Sequence, residues 1–140
     1  MAIEFPHAGQ VINYSYLWRS EANEGREEGR KNRPCAVVLA QGEGRVILAP
    51  ITHSPPQEGT TAIEIPQHIK QQLGLDTEIS WVVTSEVNVF SWPGYDLVPI
   101  NRSNPSKVVF GTLPANLTKL ILQRIKANAL AKRLDQINRD

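Results

Sequence analysis

The sequence predicts a mainly β protein, built as a small twisted antiparallel sheet or barrel with a helix at its C-terminal end. Short runs of β-branched and apolar residues recur between turn-forming residues over most of the chain. These strands do not alternate with helices long enough to build a doubly wound parallel sheet. After Pro114, apolar residues recur at spacings of three and four, which is typical of an amphipathic helix.

Length and composition indicate an ordinary globular protein. The 140 residues fit a single domain, 1–140, and the formal net charge of +1 does not mark the whole chain as a polyanion binder. The one cysteine, Cys35, excludes an internal disulfide framework and lies in an apolar run, which predicts a core residue. No apolar run approaches the ~18 residues of a membrane span, and the start lacks a signal-peptide pattern. We therefore expect a cytoplasmic protein without membrane contact.

A hairpin is predicted near the middle of the chain. Residues 34–40 and 46–49 are apolar and rich in β-branched side chains, as expected of two buried strands. Arg33 lies just before the first strand, and Thr52 follows the second. Pairing of the two strands would bring Arg33 and Thr52 to the same end of the sheet, with His53 beside them.

The remaining segments are predicted from periodicity and turn residues. Residues 19–32 carry many charges and no apolar side, which predicts a long mobile loop. Residues 88–99 are expected to be irregular. The helix that opens at Pro114 is expected to continue through Ile137, because its apolar spacing does. The other predicted elements are the turn 41–44, the strands 11–18, 62–65, 80–87 and 108–110, and a short helix at 66–73 that Pro66 begins and Gly74 caps.

Several kinds of chemistry are not indicated by the sequence. No glycine-rich phosphate loop precedes a helix, and no nucleophile elbow is visible. The histidines, His7, His53 and His68, are scattered and only one cysteine is present, so no zinc-ligand spacing appears. No metal or cofactor is expected.

The guanidinium, hydroxyl and imidazole at the end of the hairpin suit one reaction. They match metal-independent cleavage of a phosphodiester by the 2′-hydroxyl of RNA, which needs proton transfer and positive charge on the phosphate. Only RNA carries that hydroxyl, so the reaction itself would select RNA over DNA. An arginine before a strand and a threonine after one are also common for structural reasons, so spacing alone leaves a structural role open.

The order of several segments resembles the MazF/PemK family of toxin–antitoxin ribonucleases. The resemblance spans residues 9–87 and implies an SH3-like β-barrel, a homodimer, and cleavage of single-stranded RNA. It also implies inhibition by a cognate antitoxin protein. The matching segments are Gly9-Gln10-Val11, Arg33-Pro34-Cys35-Ala36-Val37-Val38-Leu39, Leu48-Ala49-Pro50-Ile51-Thr52, Ala62-Ile63-Glu64-Ile65-Pro66 and Ser80-Trp81-Val82-Val83-Thr84-Ser85-Glu86-Val87.

The resemblance also assigns site residues. The catalytic arginine and threonine of the family fall on Arg33 and Thr52, and an acidic loop residue falls near Glu27 or Glu28, of which we take Glu28. His53 is added as a candidate base, because an unperturbed histidine titrates near neutral pH. The charged loop and a neighbouring aromatic residue supply the expected RNA contacts, which are Arg19, Arg26, Arg30, Lys31 and Trp18.

Two departures and two alternatives remain. The 19–32 loop is longer than is usual in the family, and residues 88–105 are not typical of its best-known members. A non-catalytic binding module on the same barrel would have the same residues. A gyrase-poison toxin of a related family would end in a helix with bulky apolar residues, whereas residues 135–140 are mostly polar.

Overall fold

The computed structural model describes residues 4–26, 29, 31–41 and 44–140. The described chain is mainly β, as predicted, with its longest helix near the C-terminal end. None of the described helices has the length and apolar character needed to cross a membrane. The elements are β1 Gln10–Tyr14, α1 Arg19–Asn23, β2 Arg33–Ala40, β3 Arg45–Thr52, β4 Ala62–Glu64, α2 Gln67–Gln72, β5 Trp81–Val83, β6 Glu86–Ser91, β7 Val109–Thr112, α3 Ala115–Leu130 and β8 Asp135–Asn138.

The predicted hairpin is the centre of the sheet. Strands β2 and β3 pair antiparallel, with Cys35 opposite Pro50 and Ala40 opposite Val46. The strand order is β4-β5-β3-β2-β1-β7, and β6 lies along β3 with β8 beside it. Every described pairing is antiparallel except the parallel pairing of β6 with β8. No pairing among the described residues joins β4 to β7, so the hydrogen-bonded path is open. Of the predicted turn 41–44, Gly42 and Glu43 lie outside the described residues.

The two faces of the central hairpin pack against different cores. Ala36 and Val38 of β2 face a cluster that includes Ile69 of α2 and Ile121 and Ile125 of α3. The intervening residues of β2, Cys35 among them, face a second cluster that is rich in aromatic side chains. Cys35 is buried, which confirms its prediction as a core residue, and burial raises the pKa of its thiol far above the usual range.

The prediction of one strand over 80–87, followed by irregular chain, is wrong in its boundaries. Strands β5 and β6 both pair with the same partner, β3, but their registers differ by three residues. The extra residues include Thr84 and Ser85, which are buried and bonded to Thr61 through their hydroxyl oxygens, at 2.6 and 3.2 Å. These hydrogen bonds stabilise the irregular residues between β5 and β6. The paired chain then continues to Ser91, because residues 88–91 find partners along β3.

The prediction of an unstructured 19–32 loop is also wrong at its beginning. Residues Arg19–Asn23 form the short helix α1. The carboxylate of Glu21 accepts a hydrogen bond from the backbone N–H of Trp18 at 3.1 Å, and Glu86 accepts one from the backbone N–H of Arg19 at 3.0 Å. These two carboxylates satisfy N–H groups that the first turn of a helix leaves without partners.

The helix α3 ends at Leu130, and the predicted continuation to Ile137 is wrong. The chain turns at Lys132, which has a φ of 58°. The backbone N–H groups of Lys132 and Arg133 bond to the carbonyls of Ala129 and Asn128, which is the Schellman arrangement of a helix C-terminus. Ile137 is then buried as part of β8, so tertiary pairing overrides helical spacing.

Candidate functional site

The ends of β2 and β3 place Arg33 and Thr52 side by side. Cys35 lies opposite Pro50 in the pairing of β2 with β3. Arg33 precedes Cys35 by two residues and Thr52 follows Pro50 by two, so the same register places them opposite each other on one face of the sheet. Thr52 is also paired with Trp81 of β5, which fixes this end of β3 from its other side. The hairpin thus brings the arginine and the threonine together, as its strand pattern predicts.

Both side chains line a cavity of about 810 Å³, which we call the central cavity. His53 lines it as well, next to Thr52 in the chain. Of the predicted RNA contacts, Trp18 and Lys31 also line it. Further polar side chains that line this cavity are Lys70, Asp76, Ser80, Ser85 and Glu86. The volume lies within the range of small-ligand sites in proteins.

Arg33 carries a donor without an acceptor. Its guanidinium lies over the ring of Trp18, with Cζ 4.9 Å from the ring centroid. Its Nε is shielded from solvent and has no hydrogen-bond partner in the part of the chain that the structure describes. A buried donor without a partner is costly to the folded state. An acceptor that reaches this nitrogen would satisfy it.

Thr52 presents a hydroxyl to the same cavity. Its Oγ1 accepts a hydrogen bond from the backbone N–H of Ser54 at 3.2 Å, which fixes the side chain against the local loop. The hydroxyl keeps its own proton, which it can donate to a bound oxygen. Arginine and threonine together therefore offer several donors toward one point.

Glu86 is a half-buried carboxyl at the start of β6. Its Oε2 accepts hydrogen bonds from the Tyr16 hydroxyl and the Arg19 backbone N–H, both at 3.0 Å. Loss of solvent around this carboxyl raises its pKa, and the two hydrogen bonds only partly offset that effect. A carboxyl with a raised pKa is better matched to proton transfer near neutral pH than an exposed one.

His53 lies between two carboxylates. Its Nε2 is 2.8 Å from Asp76 Oδ2, and its Nδ1 is 3.4 Å from Glu78 Oε2. The other oxygen of Asp76 contacts the ammonium of Lys70 at 2.7 Å. The hydrogen bond from Lys70 lowers the pKa of Asp76, and His53 adds to the effect.

Among the residues that the structure describes, His53, Asp76 and Glu78 form the one cluster whose donor atoms are close enough to hold a metal ion. Donor atoms of His53, Asp76 and Glu78 all lie within 4.8 Å of one another. Both nitrogens of the ring already face carboxylates, and Lys70 supplies a positive charge to Asp76. A metal ion would have to displace these contacts, so the cluster does not fit a chelating site.

The remaining predicted contacts are placed differently. Arg19 points toward β8, where its Nη2 donates to the Gln136 carbonyl at 3.0 Å. Arg26 is paired with Glu21, with Nε 3.9 Å from Oε2. Neither arginine lines the central cavity. Glu28 and Arg30, together with Glu27, lie outside the described residues.

A smaller cavity of about 390 Å³ adjoins this region. It shares Trp18, Lys31 and Arg33 with the central cavity. Aromatic and basic side chains are the residue types on which nucleobases and phosphates of single strands bind. The shared residues place the two cavities side by side, and Glu21 and Glu24 also line the smaller one.

Three residues of the site escaped the reasoning from sequence. The sequence predicts a strand at Glu86 and a short helix at Lys70, and it assigns no role to either residue or to Asp76. A charged residue in the middle of an apolar strand was a usable signal for Glu86. Lys70 and Asp76 gave no such signal, because surface helices and loops ordinarily carry such charges.

Comparison with known proteins adds no relative. No known protein family matches the sequence, and no curated protein matches it. A functional conclusion therefore has to come from the chemistry of the central cavity.

Proposed function

We propose that the chain is a metal-independent endoribonuclease of the MazF/PemK toxin type, with the central cavity as its active site. It would cleave single-stranded RNA and leave a 2′,3′-cyclic phosphate and a 5′-hydroxyl. The observation that carries the proposal is the buried, unpartnered Nε of Arg33, placed beside Thr52 in a cavity lined by proton-transfer groups. The sequence resemblance points to the same two residues.

Arg33 is assigned to the scissile phosphate. A guanidinium can donate two parallel hydrogen bonds to phosphate oxygens, and its charge stabilises the pentacovalent intermediate. The stacking on Trp18 restricts the side chain, so less conformational freedom is lost on binding. Thr52 would donate to a non-bridging oxygen of the same phosphate.

Proton transfer is assigned to two groups that line the central cavity together with Thr52. Glu86 would take the proton from the 2′-hydroxyl, which then attacks phosphorus and displaces the 5′-oxygen. His53 would give a proton to that leaving oxygen from Nδ1, whose contact with Glu78 at 3.4 Å is the longer of its two and would have to open. His53 thus acts as the acid in this scheme, whereas the sequence suggested it as a base.

The proposal includes the assembly that the resemblance implies. The sheet would curve into an SH3-like barrel, and two copies would pair as a homodimer in the cytoplasm. Apolar side chains such as Leu130, which is 86% exposed, and Ile79, which is 51% exposed, give a second copy surface to cover. Light scattering at micromolar concentration should give twice the mass of the chain, and a monomer would contradict the dimer.

A cognate antitoxin is the proposed inhibitor. Residues 19–33 carry five basic and four acidic side chains, so an acidic extended segment could lie across the basic ones. Such complementarity raises the association rate and makes it sensitive to salt. Amide exchange of the complex should show protection over this segment, and protection confined to other parts of the chain would exclude this mode.

Cleavage of unstructured RNA in the presence of EDTA tests the catalytic proposal. Arg33→Ala should lower the rate by about 10²–10³ while leaving the fold unchanged, and Arg33→Lys should restore little because it lacks the planar fork. Arg124→Ala is the matched control, since Arg124 is exposed on α3 and does not line the central cavity. Metal dependence or a 5′-phosphate product would contradict the mechanism. Binding of RNA without cleavage would instead indicate a non-catalytic binding module.

A further inference from the structure

The side chain of Lys70 is almost completely buried, which is unusual for a lysine. It belongs to the two-turn helix α2 and is only 1% exposed, although lysine is among the residues least often buried completely. Its ammonium contacts Asp76 Oδ1 and Ser80 Oγ, each at 2.7 Å, and the carbonyl of Glu78. Three acceptors match the three protons of the group, so its hydrogen bonding is complete.

These contacts fix one segment, residues 76–80, against α2. Burial of an ammonium is unfavourable unless its partners are held in place, so the three acceptors are constrained together. A hydrogen bond within the segment constrains it further, because Asp76 Oδ1 accepts a hydrogen bond from the backbone N–H of Glu78 at 3.2 Å. Lys70 therefore sets both the position and the direction of the Asp76 carboxylate.

The carboxylate of Asp76 divides its two oxygens between two partners. Oδ1 receives Lys70, while Oδ2 lies 2.8 Å from His53 Nε2. The second carboxylate that faces the ring, that of Glu78, comes from the same segment. The orientation of the His53 ring is thus determined by a segment whose own position depends on Lys70.

We propose that Lys70 is a positioning residue for His53, acting through Asp76 to hold the imidazole at the edge of the central cavity. The inference rests on the proposed function for its effect on cleavage, but its geometric content does not. The charged groups that face the ring are Asp76 and Glu78, with Lys70 behind Asp76. Lys70 itself is not assigned any contact with RNA.

The first test observes the ring directly in the intact protein. The ring-nitrogen NMR signals of His53, assigned by their loss in His53→Gln, show which nitrogen carries a proton. Lys70→Met, which keeps the length of the side chain and removes its charge, should change this pattern. Gln71→Met, an exposed neighbour on α2, should leave it unchanged. Unaltered His53 signals in a folded Lys70→Met protein would overturn the inference.

The second test is a double-mutant cycle on cleavage. Lys70→Met alone should lower the rate by about 10- to 100-fold, as expected when a reacting group is misplaced. In the His53→Gln background the same change should have less than about a twofold effect, because its target is gone. Losses that multiply would assign Lys70 a general structural role and refute the inference.

A third variant covers the case in which Lys70→Met does not fold. Asp76→Asn keeps Lys70 and changes only the group between it and the ring, so it should reproduce the altered His53 signals. Unchanged His53 signals in Asp76→Asn would contradict the proposal that Lys70 acts on His53 through Asp76. If the wild-type protein cleaves no RNA, the proposed function fails, and the ring signals alone decide the inference.

Discussion

The guanidinium carbon of Arg33 lies 4.9 Å from the centroid of the Trp18 ring, and both side chains line the two adjoining cavities. Among the residues that the structure describes, the arginine contacts this aromatic ring and is not paired with a carboxylate. A carboxylate partner would neutralise the charge that a phosphate needs, whereas an aromatic ring preserves it. Trp18 therefore serves the proposed site without competing with its ligand.

Replacement of Trp18 should weaken both binding and cleavage. Trp18→Leu keeps an apolar side chain but removes the ring face, so a cation–π interaction of about 0.5–2 kcal/mol is lost. We expect a loss in kcat/KM of about twofold to thirtyfold, which is that energy expressed as a rate, with Trp18→Phe intermediate. Single-turnover cleavage of a short RNA measures it. Trp92→Leu is the control, and an equal loss there would show a general packing effect.

Replacement of Glu86 should separate activity from stability. In Glu86→Gln the amide oxygen can still accept from Tyr16 and Arg19, but no carboxylate remains to take a proton, so cleavage should fall by about 10²–10⁴. Burial raises the pKa of Glu86, so the stability that this carboxyl contributes is fully present below its ordinary pKa of 4.5 and is lost as pH rises through the folded value. The variant lacks this decline.

The measurement for Glu86 is thermal unfolding between pH 4 and pH 7. The unfolding temperature of the variant should rise relative to that of the wild type as the pH increases over this interval. Glu64→Gln, at an exposed position on β4, is the control. A variant that loses stability relative to wild type toward pH 7 would show that the ionised carboxylate is needed for folding.

The effect of Asp76 on stability should have the opposite pH dependence to that of Glu86. The hydrogen bond from Lys70 lowers the pKa of Asp76, so its stabilising effect is complete above the ordinary value of 3.8 and is lost as pH falls through the folded value. Asp76→Asn should therefore be less stable than wild type at pH 5–7. The two proteins should converge below pH 3 in urea unfolding, and a constant difference at all pH values would contradict the assignment.

The end of α3 offers a test of the fold that does not involve the site. Lys132 adopts a left-handed conformation with a φ of 58°, which costs a side chain with a Cβ about 1–2 kcal/mol. Lys132→Gly should raise the free energy of unfolding by about 1 kcal/mol. Lys119→Gly, in the exposed interior of the same helix, should lower it by about 1 kcal/mol. Urea denaturation distinguishes the two, and a loss at both positions would place the turn elsewhere.

The central hairpin and the meeting of Arg33 with Thr52 follow from local sequence patterns. Strands β2 and β3 are close in the chain, both are apolar and β-branched, and their pairing depends on local contacts. A residue just before one strand and a residue at the end of the next must then come out at one end of the sheet. The burial of Cys35 and the cap at Gly74, with a φ of 70°, followed from equally local patterns.

Long-range contacts, by contrast, set which charged groups lie near Arg33 and Thr52. Strands β5 and β6 both pair with β3, and the break between them at Thr84 and Ser85 brings Glu86 to the cavity. The strand pattern of the sequence does not encode such a break. His53 gains its orientation from a segment that the buried ammonium of Lys70 holds against α2. The helix α3 stops at Leu130 because the following residues gain more by pairing with β6 than by continuing the helix. Each of these outcomes depends on contacts between distant parts of the chain, whose energies exceed the local preferences that a sequence pattern records.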